Sequence, residues 1–221
     1  MLFRSIGAPF RQPEWSALAL IEAPHFVSQV HMRYVAAGAD VITTNSYALV
    51  PFHIGVERHS REAGALAGLA GRLARAVADE AGRSVRVAGS LPPVCGSYRA
   101  DLFDANEARP LVQVLVDALR PSVDLWLGET LSAIAEVNLL RDVIGQDGKP
   151  LWLSFTLSDD GTFTDVPRLR SGETVTAAVE AAHALGASAV LFNCSQPEVM
   201  AEAVAAADRK STRLNSSHIT I

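Results

Sequence analysis

Short apolar segments recur along the chain, and each is followed by a longer segment with the pattern of an amphipathic helix. The apolar segments are residues 40–44 (DVITT), 85–89 (VRVAG), 123–128 (VDLWLG), 150–156 (PLWLSFT) and 188–193 (SAVLFN). None alternates strictly between apolar and polar residues, which is typical of strands buried on both faces. This pattern constrains the fold most, because such strands occur in parallel sheets that are covered by helices.

Helical patterns fill the intervals between these segments. They predict helices over residues 24–37, 57–81, 105–119, 131–144 and 173–185, and from near Pro197 onward. Successive strands lie about 30–45 residues apart, a spacing that leaves room for one crossover helix in each interval. The sequence therefore predicts an α/β fold whose parallel sheet has right-handed crossovers.

Two parallel architectures are compatible with this order of elements. A doubly wound open sheet can stop at five strands, but the glycine fingerprint for dinucleotides and the phosphate P-loop are both absent from the sequence. A (β/α)8 barrel needs about 250 residues. The 221-residue chain would then be an incomplete TIM-barrel fold with about five or six βα units.

Charge and cysteine content exclude several functional classes. The net charge is −5, and no basic stripe is interleaved with aromatic residues, so the sequence predicts no nucleic-acid partner. No stretch reaches the roughly 18 apolar residues that a membrane-spanning helix needs, so we expect no membrane association. Cys95 and Cys194 are the two cysteines, too few for a disulfide framework and suited to a reducing cytoplasm.

Polar residues follow the predicted strands, and chemistry in parallel α/β folds gathers at the carboxyl ends of strands. In chain order, these exits carry Asn45, Ser46 and Tyr47; the loop 90–101 with Cys95, Tyr98 and Asp101; Glu129 and Thr130; Ser158, Asp159 and Asp160; and Asn193, Cys194 and Ser195.

Cys194 has the most informative surroundings of these residues. Ser195 and Glu198 have the spacing of a capping box, and Pro197 suits a first helical turn. The Cys194 thiol would then lie near a helix N-terminus, where the thiolate is favoured. Such a thiolate can serve as a nucleophile or as a metal ligand, and a buried structural cysteine is the third interpretation.

Glu129 directly follows an apolar strand, so its carboxylate could bind a substrate amine or act as the charge at a helix N-terminus. We expect no metal or redox role for Cys95. The histidines show no HExxH spacing and are expected at the surface or in helix packing; they are His25, His31, His53, His59 and His183.

Several segments, taken in order, resemble the homocysteine S-methyltransferase family. They are PEWSALALIEAPHFVSQVHMRYVAAGADVITTNSYAL, AGSLPP with SYRAD, GETLSAIAE, PLWLSFT with a following SGE, and FNCSQPE. The resemblance covers about residues 7–208 and rests on the ordered set of segments, since no single motif is decisive.

This resemblance implies a (β/α)8 barrel with catalytic zinc at its C-terminal face. Cys194 in FNC matches one of the family's three zinc-binding cysteines, and Glu129 matches the glutamate that binds the homocysteine amino group. Asn45, Tyr47 and Ser154 are assigned with Glu129 to substrate binding, and no residue is assigned as a catalytic acid, base or nucleophile.

The implied reaction is methyl transfer to the zinc-bound thiolate of homocysteine, which gives methionine. A free thiol has a pKa of about 8.5, and zinc coordination deprotonates it. The expected donor is a sulfonium compound, S-methylmethionine or S-adenosylmethionine, with betaine as the alternative. The resemblance implies small-molecule partners and a cytoplasmic enzyme, and leaves a homo-oligomer open.

The sequence also departs from the family pattern. The family's Gly-Gly-Cys-Cys segment is absent, and its first strand is missing before Ile6. We therefore expect a partial barrel domain over residues 6–208, truncated at both ends, followed by a non-native tail over residues 209–221. Two alternatives to the zinc enzyme stay open: an inactive fragment or binding-only barrel, and a barrel enzyme that uses Cys194 as its nucleophile.

Overall fold

The computed structural model describes residues 2–159 and 166–214. In these residues five parallel strands follow one another in the sheet in chain order. The strands are β1 (Val41–Thr43), β2 (Arg86–Leu91), β3 (Leu125–Leu131), β4 (Leu151–Phe155) and β5 (Ala189–Phe192). The parallel α/β fold predicted from the apolar segments is confirmed.

Helices separate the strands. They are α1 (Leu2–Ser5), α2 (Ala17–Glu22), α3 (His25–Ala36), α4 (Pro51–Ile54), α5 (Val56–Asp79), α6 (Ala105–Leu119), α7 (Ile134–Ile144), α8 (Val175–Ala184) and α9 (Pro197–Leu214), with a short 3₁₀ helix at Ala100–Leu102. Each predicted helix is present within a few residues of its expected bounds, and the short α1, α2 and α4 were not predicted.

The chain divides into two compact units. Unit 1 contains residues 1–91 and 110–126, and unit 2 contains residues 92–109 and 127–221. In unit 1, β1 pairs with β2 in the register Val41–Arg86 to Thr43–Ala88. In unit 2, β4 pairs with β5 in the register Trp152–Ala189 to Phe155–Phe192.

Small residues allow close packing in unit 1. Ala63, Ala67, Ala70 and Ala74 recur every three or four residues along α5 and are at most 1% exposed, so they form the buried face of this helix. At Gly89 in β2, an added Cβ would lie 3.0 Å from the ring of Trp126. Trp126 is fully buried, so the glycine makes room for the largest side chain of this core.

Strand β3 extends beyond its predicted end in unit 2. The apolar pattern stops at Gly128, but the strand continues through Glu129 and Thr130 to Leu131. Helix α7 then packs against this strand: Leu140 lies so close that a Cβ on Gly128 would be 2.6 Å from its Cδ1. The glycine therefore sets the distance between strand and helix at the point where the polar residues begin.

Helix α9 continues to Leu214, six residues past Asp208, where the composition change predicted the helix to end. Arg209, Lys210 and Leu214 have high helix propensity and do not interrupt the backbone pattern. The remainder of the predicted tail, residues 215–221, lies outside the described residues.

Candidate functional site

In unit 2, polar side chains meet at the carboxyl ends of β3, β4 and β5. The amide of Asn193 joins them: its Oδ1 accepts hydrogen bonds from the Thr130 backbone N at 3.2 Å and from Ser154 Oγ at 2.9 Å. Its Nδ2 donates to Thr130 Oγ1 at 2.9 Å and to Cys194 Sγ at 3.4 Å. One carboxamide therefore fixes the ends of three strands around the thiol.

Ser154 is 5% exposed, and its hydroxyl donates to Asn193. The structure thus gives this residue a partner within the protein, and its assignment to substrate binding stays a prediction. Asn193 was noted as a strand-exit residue but was not assigned to the site. The polar residue at the end of an apolar run was the signal that could have identified it.

Glu129 lies in β3 and is half-buried, next to Thr130. Thr130 has a φ of 60°, which is unusual for a β-branched residue and marks local backbone strain. The start of α7 is bonded by other carboxylates: Glu136 accepts from the backbone N of Ser132 and of Ala133, and Glu173 accepts from Ile134 N. These two glutamates fill the helix N-terminal role that the sequence left open for Glu129.

Glu136 is 7% exposed, and its Oε2 lies 2.6 Å from Ser132 N and 2.9 Å from Ala133 N. Burial raises the pKa of this carboxyl from 4.5 to about 7, the two backbone donors oppose the rise, and the nearby Glu173 charge adds to it. Glu136 at N3 therefore reaches back to the backbone N of the N-cap Ala133, which is the N3 half of a capping box.

Cys194 is an exposed free thiol with a φ of 52°, directly after β5. Helix α9 begins at Pro197, so the thiol lies close to a helix N-terminus, as predicted. Ser195 is used differently from the expected cap: its hydroxyl accepts from Leu157 N at 2.8 Å and donates to the carbonyl of Asn193 at 3.1 Å. The Ser195 hydroxyl therefore bonds the chain that leaves β4 and the strand end before it, not the start of α9.

Arg170 completes this cluster and was missed by the sequence analysis. Its Nε donates to Thr156 Oγ1 at 3.0 Å, its Nη2 donates to the carbonyl of Cys194 at 3.4 Å, and its Nη1 pairs with Asp159 Oδ1 at 3.0 Å. Its guanidinium also lies 4.9 Å from the centre of the Tyr98 ring. Asp160, the other strand-exit aspartate, lies outside the described residues.

A cavity of about 470 Å³ opens beside this cluster in unit 2. The polar part of its lining comes from Tyr98, Asp101, Arg170, Ser171 and Glu173. Tyr98 has a φ of 66°, a strained conformation for an aromatic residue. Cys95 is half-buried, and burial raises the pKa of its thiol.

In unit 1, Asn45 and Tyr47 follow β1, as predicted. Asn45 Nδ2 donates to the carbonyl of Ser16 at 3.0 Å, and the Tyr47 ring lies 6.5 Å from that of His53. A hydroxyl network that was not predicted lies beside them: Ser46 Oγ donates to the carbonyl of Ser90 at 2.8 Å. The assignment of Asn45 and Tyr47 to substrate binding stays a prediction.

His31 and His59 are 5% and 7% exposed, as the helix-packing prediction requires. Burial lowers the pKa of His31 to about 4, so its imidazole is neutral near pH 7. His31 lines a second cavity, of about 350 Å³, together with Tyr34 and residues of β1.

Within residues 2–159 and 166–214, no group of three or more histidine, cysteine, aspartate or glutamate side chains is placed to hold a metal ion. A catalytic zinc site takes three protein ligands, and Cys194 alone cannot supply them. The described residues therefore do not fit a complete zinc site.

Known proteins resemble this chain in sequence and in fold. A family model described as homocysteine S-methyltransferase matches residues 1–219. The chain belongs to the homocysteine S-methyltransferase family. It is therefore a member of an enzyme family, as the resemblance implied.

Relatives and solved structures agree with this assignment. Homocysteine S-methyltransferase 1 of Brassica oleracea var. italica is 30% identical, over 97% of this chain and 71% of the relative. Homocysteine S-methyltransferase of Escherichia coli (strain K12) is 32% identical, over 80% of this chain and 62% of the relative.

The crystal structure of the metallated form of the homocysteine methyltransferase MmuM from Escherichia coli superposes with a TM-score of 0.80. That match is 26% identical and covers 99% of this chain and 78% of the other. The five parallel strands of the described residues therefore match part of a TIM-barrel homocysteine methyltransferase, which confirms the predicted fold class.

Proposed function

We propose that this protein transfers a methyl group from a sulfonium donor, S-methylmethionine or S-adenosylmethionine, to the thiol of homocysteine and so produces methionine. The observation that supports the proposal is the cluster at the ends of β3, β4 and β5. Glu129 lies in β3 directly before Thr130, which is hydrogen-bonded to Asn193, and Asn193 in turn bonds the exposed Cys194 thiol.

Glu129 is the proposed ligand of the homocysteine ammonium group. A half-buried carboxylate attracts an ammonium group more strongly than one in bulk water, because the effective dielectric constant is lower. Glu136 and Glu173 are bonded to the start of α7, so they are occupied with the protein's own backbone. Neither lies in β3, where Glu129 matches the family glutamate that binds the homocysteine amino group.

Cys194 is proposed as a zinc ligand, on the strength of its match to the family's FNC motif and of its exposed position after β5. Because the described residues do not provide a complete ligand set, no step of the reaction is derived through zinc. Zinc content per chain after dialysis tests the assignment. Zinc that is retained in the wild type and lost in Cys194→Ser supports it, and equal zinc in both contradicts it.

The methyl donor is tested directly. Homocysteine is supplied with S-methylmethionine, S-adenosylmethionine or betaine in parallel, with zinc present, and methionine is measured. Methionine formed from a sulfonium donor supports the proposal, whereas methionine formed only from betaine overturns the donor assignment. No methionine from any of the three donors would favour a binding-only barrel.

Glu129→Gln tests the amine-binding role. The substitution keeps the shape and removes the charge, so KM for homocysteine should rise about 10- to 100-fold, the value of a hydrogen bond to a charged group. Glu202→Gln, on the exposed face of α9, is the matched control and should leave KM unchanged. An unchanged KM in Glu129→Gln would exclude this carboxylate as the ammonium ligand.

Small molecules are the proposed partners, and the cytoplasm is the proposed location. Both follow from the family and from the two free thiols. None of the described helices is long and apolar enough to cross a membrane.

A further inference from the structure

The turn formed by Cys194, Ser195 and Gln196, here called the cysteine turn, is bonded at every residue to the chain that leaves β4. The carbonyl of Cys194 accepts from Thr156 Oγ1 at 3.3 Å, and Ser195 Oγ accepts from Leu157 N at 2.8 Å. The backbone N of Gln196 donates to Asp159 Oδ2 at 3.0 Å. The conformation of this turn is thus set by a neighbouring segment as well as by its own sequence.

Cys194 needs such support because its φ of 52° lies in the left-handed region. A residue with a Cβ is disfavoured there by about 1–2 kcal/mol. The neighbouring Asn193 and Ser195 do not have this conformation, so the strain is confined to the thiol-bearing residue. Strained residues persist where the surrounding contacts over-determine them.

Arg170 and Asp159 supply the strongest of these contacts. Arg170 donates to Thr156 Oγ1 from Nε and to the Cys194 carbonyl from Nη2, and it pairs with Asp159 through Nη1. The other carboxylate oxygen of Asp159 accepts from Gln196 N. The ion pair therefore holds the cysteine turn at both ends.

This ion pair is shielded from solvent. The side chains of Arg170 and Asp159 are 23% and 15% exposed, and Tyr98 covers the guanidinium at 4.9 Å. Exposed pairs contribute little because water and salt screen them. A shielded arginine that donates to several acceptors is better ordered, because the planar guanidinium presents its N–H donors in a fixed arrangement.

We propose that Arg170 and Asp159 are positioning residues that hold Cys194 in its left-handed conformation and so keep its thiol beside Asn193. The proposal rests on the proposed function in one respect, namely that Cys194 is a zinc ligand of the site. Its structural part concerns the geometry of the turn and is tested without methyl transfer.

The test uses the chain labelled with ¹³C,¹⁵N-cysteine, which gives one amide signal for each of the two cysteines. Cys95→Ser removes one signal and leaves that of Cys194. In Arg170→Met and Asp159→Asn we expect the Cys194 signal to move and to broaden, because the freed residue exchanges between positive and negative φ. Arg170→Lys keeps the charge but not the planar fork, so it should give an intermediate change.

Arg75→Met is the matched control. Arg75 is 29% exposed and pairs with Asp124 at 2.8 Å in unit 1. The Arg75→Met substitution removes a comparable ion pair and should leave the Cys194 signal in place. A Cys194 signal that stays in place in Arg170→Lys and Asp159→Asn, or that moves as far in Arg75→Met, would overturn the proposal. The lysine and asparagine variants carry the test if Arg170→Met does not fold.

Reaction of the single remaining thiol with iodoacetamide provides a second measurement. Asn193 Nδ2 donates to Cys194 Sγ at 3.4 Å in the intact turn, so a turn that leaves its position changes the surroundings of the thiol. Loss of the turn breaks this contact and should change the rate of alkylation about threefold or more, the value of one hydrogen bond. Both proteins carry Cys95→Ser, and equal alkylation rates with and without Asp159→Asn would contradict the proposal. Failure of methionine synthesis alone would contradict only the proposed function.

Discussion

At the scale of single residues, Glu136 shows how burial changes the ionisation of a carboxyl group. Its carboxyl lies in the protein interior at the start of α7 and faces two backbone donors and the charge of Glu173. The folded state holds the pKa of this group at about 7, above the value of 4.5 that an unperturbed glutamate has. The folded protein therefore binds the proton more tightly than the unfolded chain does.

This difference makes stability depend on pH. Below about pH 4.5 both states are protonated and the stabilisation is fully present; it is lost as pH rises to about 7, because only the unfolded state ionises readily. Glu136→Gln cannot ionise, so its free energy of unfolding should not show this fall. Between about pH 4 and pH 8 the variant should gain up to about 3 kcal/mol relative to the wild type.

Urea unfolding at both pH values measures this gain. Glutamine keeps an oxygen that can accept from Ser132 N and Ala133 N, so the cap survives the substitution. Glu202→Gln, exposed on α9, is the control and should track the wild type at both pH values. A constant difference between Glu136→Gln and the wild type would mean that folding leaves the pKa of Glu136 at its unfolded value.

At the scale of secondary-structure elements, β3 connects packing to the site. Gly128 lies directly before Glu129, and a Cβ there would come within 2.6 Å of Leu140, 3.1 Å of Leu131 and 3.2 Å of Leu153. Gly128→Ala should therefore push α7 away from β3 and lower the free energy of unfolding by about 1–3 kcal/mol, as overpacking does. Thermal or urea unfolding measures the loss.

Gly64→Ala is the comparison for this prediction. An added Cβ at Gly64 in α5 would meet Val114 at 3.7 Å, an ordinary contact distance. Alanine also favours the helix by about 0.5–1 kcal/mol, so this variant should be neutral or more stable. If both alanine variants had the same stability, close approach of α7 would not be what requires glycine at position 128.

The strands and the residues that follow them were predictable from the sequence because they depend on the local pattern of apolar residues. Apolar runs located all five strands, and the residue after each run identified Glu129 and Cys194. The end of β3 was not predictable, because Glu129 and Thr130 are polar residues held in a strand by Asn193, 63 residues away. Arg170 was not predictable either, since its partners depend on the path of the chain between β4 and α8.

At the scale of the whole molecule, the order of strands leaves β1 and β5 at the two ends of the sheet formed by the described residues. Each end presents backbone groups that can pair with another chain, which is a common route to self-association. In unit 1, Val41 and Thr43 of β1 are half-exposed beside the smaller cavity. We expect the protein to self-associate as its concentration rises, with β1 as one contact edge.

A lysine on this edge should oppose such pairing, because strand addition would bury its charge. Thr43→Lys should therefore shift the protein toward the monomer in sedimentation velocity at about 10-fold increasing concentrations. Thr176→Lys, a half-exposed threonine in α8, adds the same charge away from the sheet edges and is the matched control. If the two variants reduced association equally, net charge would be the cause; if the wild type stayed monomeric throughout, the edge of β1 would not be a pairing surface.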